Sequence, residues 1–135
     1  MKVYAAQINP CVGDIDGNAV KIIAHLKSAA KAEANLAIFP ELCITGYPPE
    51  DLILRKSFIA EEQAALKTIA KAAKDIIAVI GATHTDKKGV LYNAAYLLKN
   101  GQAQLIALKT DLPNYGVFDE KRVFAPGIEP TLQFL

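Results

Sequence analysis

Leu36-Ala37-Ile38-Phe39-Pro40-Glu41 is the stretch on which the fold turns. Four consecutive apolar residues stopped by a proline predict a short buried strand, with Glu41 just past its carboxyl end. Upstream, residues 2–8 read as a strand ended by Asn9-Pro10. Asp14, Asp16 and Asn18 then offer helix caps, and Val20, Ile23, Leu26 and Ala30 follow at helical spacing to about residue 34. Downstream comes a polar, proline-rich loop over 41–56. Ser57 can cap a second helix with Ile59, Leu66, Ile69 and Ala73 on one face. Residues 76–82 are the next buried strand. Lys87-Lys88-Gly89 supplies a turn, 90–98 another strand, and Asn100-Gly101 a hairpin signal that returns the chain through 102–108.

A strand–helix–strand–helix–strand opening implies an α/β layer architecture with right-handed crossovers, and the later hairpin makes its sheet mixed. Residues 109–130 have little periodicity and hold three prolines and two glycines. Loops that long are uncommon unless functional or disordered. Residues 131–135 could begin one more strand, so the domain is expected to continue past residue 135.

Composition narrows the function classes. Fifteen basic and fourteen acidic residues nearly cancel, whereas a nucleic-acid surface needs clustered basic charge. Gln7, Asn9 and Pro10 interrupt the amino terminus too early for a secretory signal. The longest aliphatic stretch, 76–82, is far short of the roughly 20 residues that span a bilayer. A soluble, cytoplasmic protein without membrane or nucleic-acid partners is expected. Cys11 and Cys43 read as reduced thiols rather than a disulfide, and no Cys/His spacing suggests a metal site.

Reactive groups in such sheets collect past the carboxyl ends of strands. Glu41 follows one strand and Lys109 another, so a carboxylate and an ammonium could meet there as proton carrier and oxyanion stabiliser. By spacing alone each is equally the first solvated residue after a buried strand. Glu120, inside Phe118-Asp119-Glu120-Lys121-Arg122, is by itself no more than part of a charged loop. No two glycines fall at G-x-G spacing, and G-x-x-x-x-G-K-[ST] and G-x-S-x-G are both absent, which takes most of the support from the simplest α/β reading, a nucleotide-binding Rossmann domain. His25 reads as a surface or packing residue. A Cys43–His84 dyad is conceivable, but Cys43 lies between Leu42 and Ile44 and reads as packed.

Two longer runs carry a resemblance. Phe39-Pro40-Glu41-Leu42-Cys43-Ile44-Thr45-Gly46-Tyr47-Pro48-Pro49-Glu50-Asp51-Leu52 resembles the first catalytic motif of the nitrilase (carbon-nitrogen hydrolase) superfamily, in the form found in glutamine-dependent NAD synthetases. Lys109-Thr110-Asp111-Leu112-Pro113-Asn114-Tyr115-Gly116-Val117-Phe118-Asp119-Glu120-Lys121-Arg122 resembles the second. Ala6-Gln7-Ile8-Asn9-Pro10 with Val12-Gly13-Asp14 agrees, so the similarity covers the whole chain in order.

The resemblance implies that residues 1–135 are the N-terminal portion of a glutaminase domain, a partial nitrilase-like α-β-β-α sandwich. It makes Glu41 the general base, Lys109 the stabiliser of the tetrahedral intermediate and Glu120 a second glutamate that positions substrate and water. It places Tyr115 in the glutamine pocket and Tyr47 in the loop bordering the site. The implied chemistry is hydrolysis of the glutamine amide by a cysteine thiolate, supplying ammonia for ATP-dependent amidation of deamido-NAD. Glu41 would carry the thiol proton to the leaving amine, which calls for a sheltered carboxyl. No cofactor is implied for this domain; ATP and Mg belong to the synthetase domain, which is absent from the chain. The implied partners are glutamine, that synthetase domain and further copies in a homo-oligomer. No cysteine follows residue 43, whereas the family's nucleophile comes after the Lys109 motif, so this chain alone is expected to be inactive. Two alternatives stay open: an amidase of the superfamily acting on another small amide, and a non-catalytic oligomerisation relic.

Overall fold

The computed structural model describes residues 1–128. The expected strand over 131–135 lies outside them. Five strands form one sheet in the order β1 (Val3–Ala5), β2 (Leu36–Ile38), β3 (Ile77–Thr85), β4 (Leu91–Lys99), β5 (Gln102–Leu108). The first three run parallel and the last two pair antiparallel, giving the expected mixed sheet. Helices α1 (Ile15–Lys31) and α2 (Lys56–Ala72) make the two crossovers. The two helices pack against each other on the sheet.

The helix ends differ from expectation for identifiable reasons. Asp14 is the cap of α1, its carboxylate accepting from Gly17 N–H at 3.0 Å. Asn18 is not a cap but a fully buried clamp: it accepts from Cys11 N–H at 2.8 Å and donates to the carbonyls of Cys11 and Ile44. It thereby ties the loop before α1 to the Glu41-bearing loop. The buried face of α1 is Ile15, Ala19, Ile22, Leu26 and Ala29, which leaves Val20 exposed rather than in the core. Ser57 does not cap α2. Helical hydrogen bonding starts from the carbonyl of Arg55, so Ser57 is already inside the first turn.

Alanines on the strands let the helices sit close. Ala37, Ala78 and Ala82 are fully buried beside Ile80 and Leu98, facing Ile22, Leu26 and Ile69 in one continuous core. Asn100 (φ 53°) and Gly101 (φ 76°) both take left-handed conformations, as a two-residue turn between β4 and β5 requires. Among the described residues no helix is long and apolar enough to cross a membrane.

Candidate active site

Three segments deliver charge to one edge of the sheet. Glu41 follows β2, and its backbone lies across β3 at Gly81: a Cβ there would stand 2.6 Å from Glu41 Cα and 2.6 Å from Leu42 N. Leu42 (φ 43°) turns sharply, and Cys43 N–H then donates to the Gly81 carbonyl at 3.2 Å. Lys109 follows β5, and its N–H donates to the Asn93 carbonyl of β4 at 2.8 Å, extending the strand pairing by one residue. The irregular segment after Lys109 folds back so that a 3-10 turn over Glu120–Arg122 presents Glu120 to the same place. Its return is fixed by Glu120 N–H on the Pro113 carbonyl (3.2 Å) and Gly127 N–H on the Lys109 carbonyl (2.9 Å).

The side chains meet. Lys109 Nζ stands 2.7 Å from Glu41 Oε1 and 2.9 Å from Glu120 Oε1, a cation shared by two carboxylates from different loops. Tyr47 OH donates to Glu120 Oε1 at 2.8 Å, and Asn93 Nδ2 donates to Glu41 Oε1. The environments differ. The Glu120 side chain is 5 % exposed, Lys109 30 % and Glu41 43 %. Glu120 is thus far from the solvated loop residue its sequence context suggests. Glu41 is less sheltered than a proton-carrying role calls for. Glu120 Oε2 is buried and has no hydrogen-bond partner among the described residues.

Electrostatics follow from this packing. Desolvation pulls the Lys109 ammonium down, but hydrogen bonds and charge from Glu41 and Glu120 outweigh it and hold its pKa above the usual lysine value. Lys109 therefore stays cationic across the physiological range. Burial, reinforced by the bond to Glu120, raises Tyr47 well above an ordinary phenol, so its hydroxyl remains a donor.

Beside the charged trio lies a hollow of about 260 Å³, with Phe39, Val79, Gly81, Ala95 and Ala107 along its floor and Glu41, Asn93 and Lys109 at its rim. Glycine and alanine leave the room here; larger residues would fill it. Tyr115 is not part of the trio. It is 71 % exposed and reaches the site only through stacking, edge-on to Phe118 at 5.5 Å, which in turn lies 6.4 Å from Tyr47. Asn93 and Phe118 were not foreseen. For Asn93 a signal existed, since a lone amide interrupts an otherwise apolar strand.

The thiols and histidines go elsewhere. Cys43 is fully buried, its Sγ 3.7 Å from the Gly81 carbonyl, and burial pushes its pKa up to about 12. A thiol so unwilling to ionise is a packing group. Cys11 is exposed. His84 pairs with the Tyr96 hydroxyl (3.0 Å) and His25 with that of Tyr4 (2.8 Å), so no cysteine–histidine dyad forms. Among the described residues no cluster of three or more His, Cys, Asp or Glu is placed to hold a metal ion.

The carbon-nitrogen hydrolase model matches residues 2–133, and the chain belongs to that family. Among similar proteins, the glutamine-dependent NAD(+) synthetase of Acinetobacter baylyi is 44 % identical over 126 residues, covering 93 % of this chain and 23 % of that protein. The enzyme of the same name from Thermotoga maritima is 42 % identical over 129 residues, covering 96 % of this chain and 22 % of its own. The structure of the glutamine-dependent NAD+ synthetase of Acinetobacter baumannii superposes with a TM-score of 0.89 at 43 % identity, over 95 % of this chain and 24 % of that one. An amidase from Nesterenkonia sp. shares the fold, with a TM-score of 0.78 at 23 % identity over 99 % of this chain and 51 % of its own. The chain thus spans under a quarter of the length of the synthetases it matches.

Proposed function

We propose that this chain is the leading part of a nitrilase-type glutaminase domain, and that the longer protein uses it to release ammonia from glutamine for amidation of deamido-NAD. The observation that carries the proposal is the Lys109 ammonium bonded to both Glu41 and Glu120, each delivered by a different loop. Similarity to glutamine-dependent NAD synthetases along nearly the whole chain supports the choice of glutamine over other amides.

The chemistry follows from the roles. A cysteine thiol supplied by the following part of the domain loses its proton to Glu41, and the sulfur attacks the carboxamide carbon. Lys109 faces the oxygen on which negative charge develops and stabilises it. Glu41 returns the proton to the nitrogen as the carbon–nitrogen bond breaks, and ammonia leaves. Water then attacks the thioester, giving its proton to Glu41, and glutamate and the thiol are released. Glu120 holds the Lys109 ammonium through Oε1. Tyr47 donates to Glu120 Oε1, and Tyr115 stacks edge-on against Phe118 beside Tyr47.

The test is glutamate release from glutamine by the longer protein. Wild-type turnover is expected, with a loss of at least about 10³-fold in Glu41→Gln, the scale seen when a general acid–base or oxyanion group is removed. The 135-residue chain alone is expected to give none. Glutamine turnover by this short chain, abolished by Cys43→Ala, would overturn the assignment of roles.

A further inference from the structure

Asn93 stands in the interior of β4, 3 % exposed, in a strand whose neighbours are largely apolar. Burying an amide there costs on the order of 1–3 kcal/mol unless its polar atoms find partners. Its Nδ2 donates to Glu41 Oε1, the same oxygen that Lys109 Nζ reaches at 2.7 Å. Its backbone carbonyl accepts from Lys109 N–H at 2.8 Å. One residue therefore holds the side chain of the carboxylate and the main chain of the lysine.

The strand carrying it is braced from behind. Asn93 pairs across the ladder with Thr83 of β3. Thr83 N–H donates to the fully buried Glu62 of α2 at 2.9 Å, the Thr83 hydroxyl bonds the same carboxyl, and Gln63 donates to the Thr83 carbonyl at 2.8 Å. The amide thus projects from a rigid element, as a group that sets another's geometry must.

We infer that Asn93 is a positioning residue for the reaction, locking Glu41 so that Oε1 is occupied by two donors and Oε2 is the single oxygen that takes and returns the proton. Among the described residues Glu41 Oε2 has no hydrogen-bond partner, whereas Oε1 already accepts from Nδ2 and Nζ. A proton placed on Oε1 would oppose both donors. Without the amide the carboxylate can turn about its last torsion, which is broad and roughly two-fold, and exchange its oxygens. The charged and titratable groups around it are Lys109, Glu120 across that lysine, and Tyr47.

The inference rests on the glutaminase reading, and the experiment separates the two. In the longer protein, Asn93→Ala is expected to lower kcat for glutamine about 10–100-fold with KM changed less than about threefold, the scale of a misplaced catalytic group. Asn93→Ser, which keeps a polar side chain too short to reach Glu41, is the second variant should alanine unfold the protein, and the same loss of kcat is expected of it. A raised KM with unchanged kcat would make Asn93 a substrate contact instead, and a wild-type kcat in both variants would also overturn the inference. If wild-type protein does not hydrolyse glutamine, the functional reading fails, and the inference is still decided by NMR. The Asn93 side-chain amide should then exchange slowly and lose its downfield shift in Glu41→Gln; a freely exchanging amide insensitive to that substitution would refute it.

Discussion

Gly81→Ala probes the seat on which the candidate base is built. Gly81 has an ordinary strand backbone, so alanine meets no conformational penalty there. The obstacle is steric, and it consists of main chain: the added methyl would lie 2.6 Å from Glu41 Cα, 2.6 Å from Leu42 N and 2.8 Å from the Pro40 carbonyl oxygen. Unstrained contacts between such atoms need about 3.5 Å or more, so the 40–42 segment must retreat by roughly 1 Å. Overpacking of this kind typically costs about 1–3 kcal/mol. The retreat also breaks the Cys43 N–H bond to the Gly81 carbonyl, worth about 1 kcal/mol. A total of about 2–4 kcal/mol is expected, read from urea denaturation followed by circular dichroism. A carboxylate displaced by about 1 Å should lose on the order of 10²-fold in turnover, read from glutamate release by the longer protein. Gly89→Ala is the control: it has φ +84° and open space around it, so it should cost about 1 kcal/mol through strain and leave turnover intact. A Gly81→Ala protein that unfolds with the wild type and turns over within about twofold of it would refute the placement of Glu41 on β3.

Two further outcomes follow from buried groups. Burial raises the pKa of Glu62 above its ordinary 4.5 despite the bonds from Thr83, so its stabilising contribution is complete below about pH 4.5 and is lost as pH rises through the raised folded value. Glu62→Gln keeps the bonding pattern without the titration. Its stability relative to wild type should therefore improve from acidic to neutral pH in urea melts, and a pH-independent difference would contradict this. Cys11 is exposed and Cys43 is buried with a pKa near 12. Iodoacetamide should label Cys11 in the folded protein and Cys43 only after unfolding, as mapped by mass spectrometry; fast labelling of Cys43 in the folded protein would contradict its burial.

Much of the architecture was legible because local signals agreed with one another. The apolar run ending at Pro40 became β2 (Leu36–Ile38), and the Asn100-Gly101 turn and β5 (Gln102–Leu108) lie where residue chemistry puts them. Helix ends were less legible, since Asn18 and Ser57 look like caps but are governed by tertiary contacts: one is drawn into bonds with Cys11 and Ile44, the other is overtaken by a helix starting earlier. Val20 fits a helical stripe but falls on the solvent side, because periodicity tells of a face and not of its width. At the site, Glu41 and Lys109 were marked by standing at strand ends. Glu120 was marked only by family resemblance, because its burial depends on the segment after Lys109 folding back through bonds to Pro113 and Phe124. Asn93 shows the same limit: its partner Glu41 is 52 residues away, a distance no local pattern spans.

If Glu41, Lys109 and Glu120 serve a cysteine of the longer protein that lies beyond residue 135, that thiol reacts with 6-diazo-5-oxo-norleucine, an electrophilic glutamine mimic, and the adduct can be mapped by mass spectrometry. A single adduct on a cysteine beyond residue 135, blocked by excess glutamine and slowed in Lys109→Met, is the expected result. An adduct on Cys43 or Cys11, or no adduct together with no glutamate formed from glutamine, would contradict it.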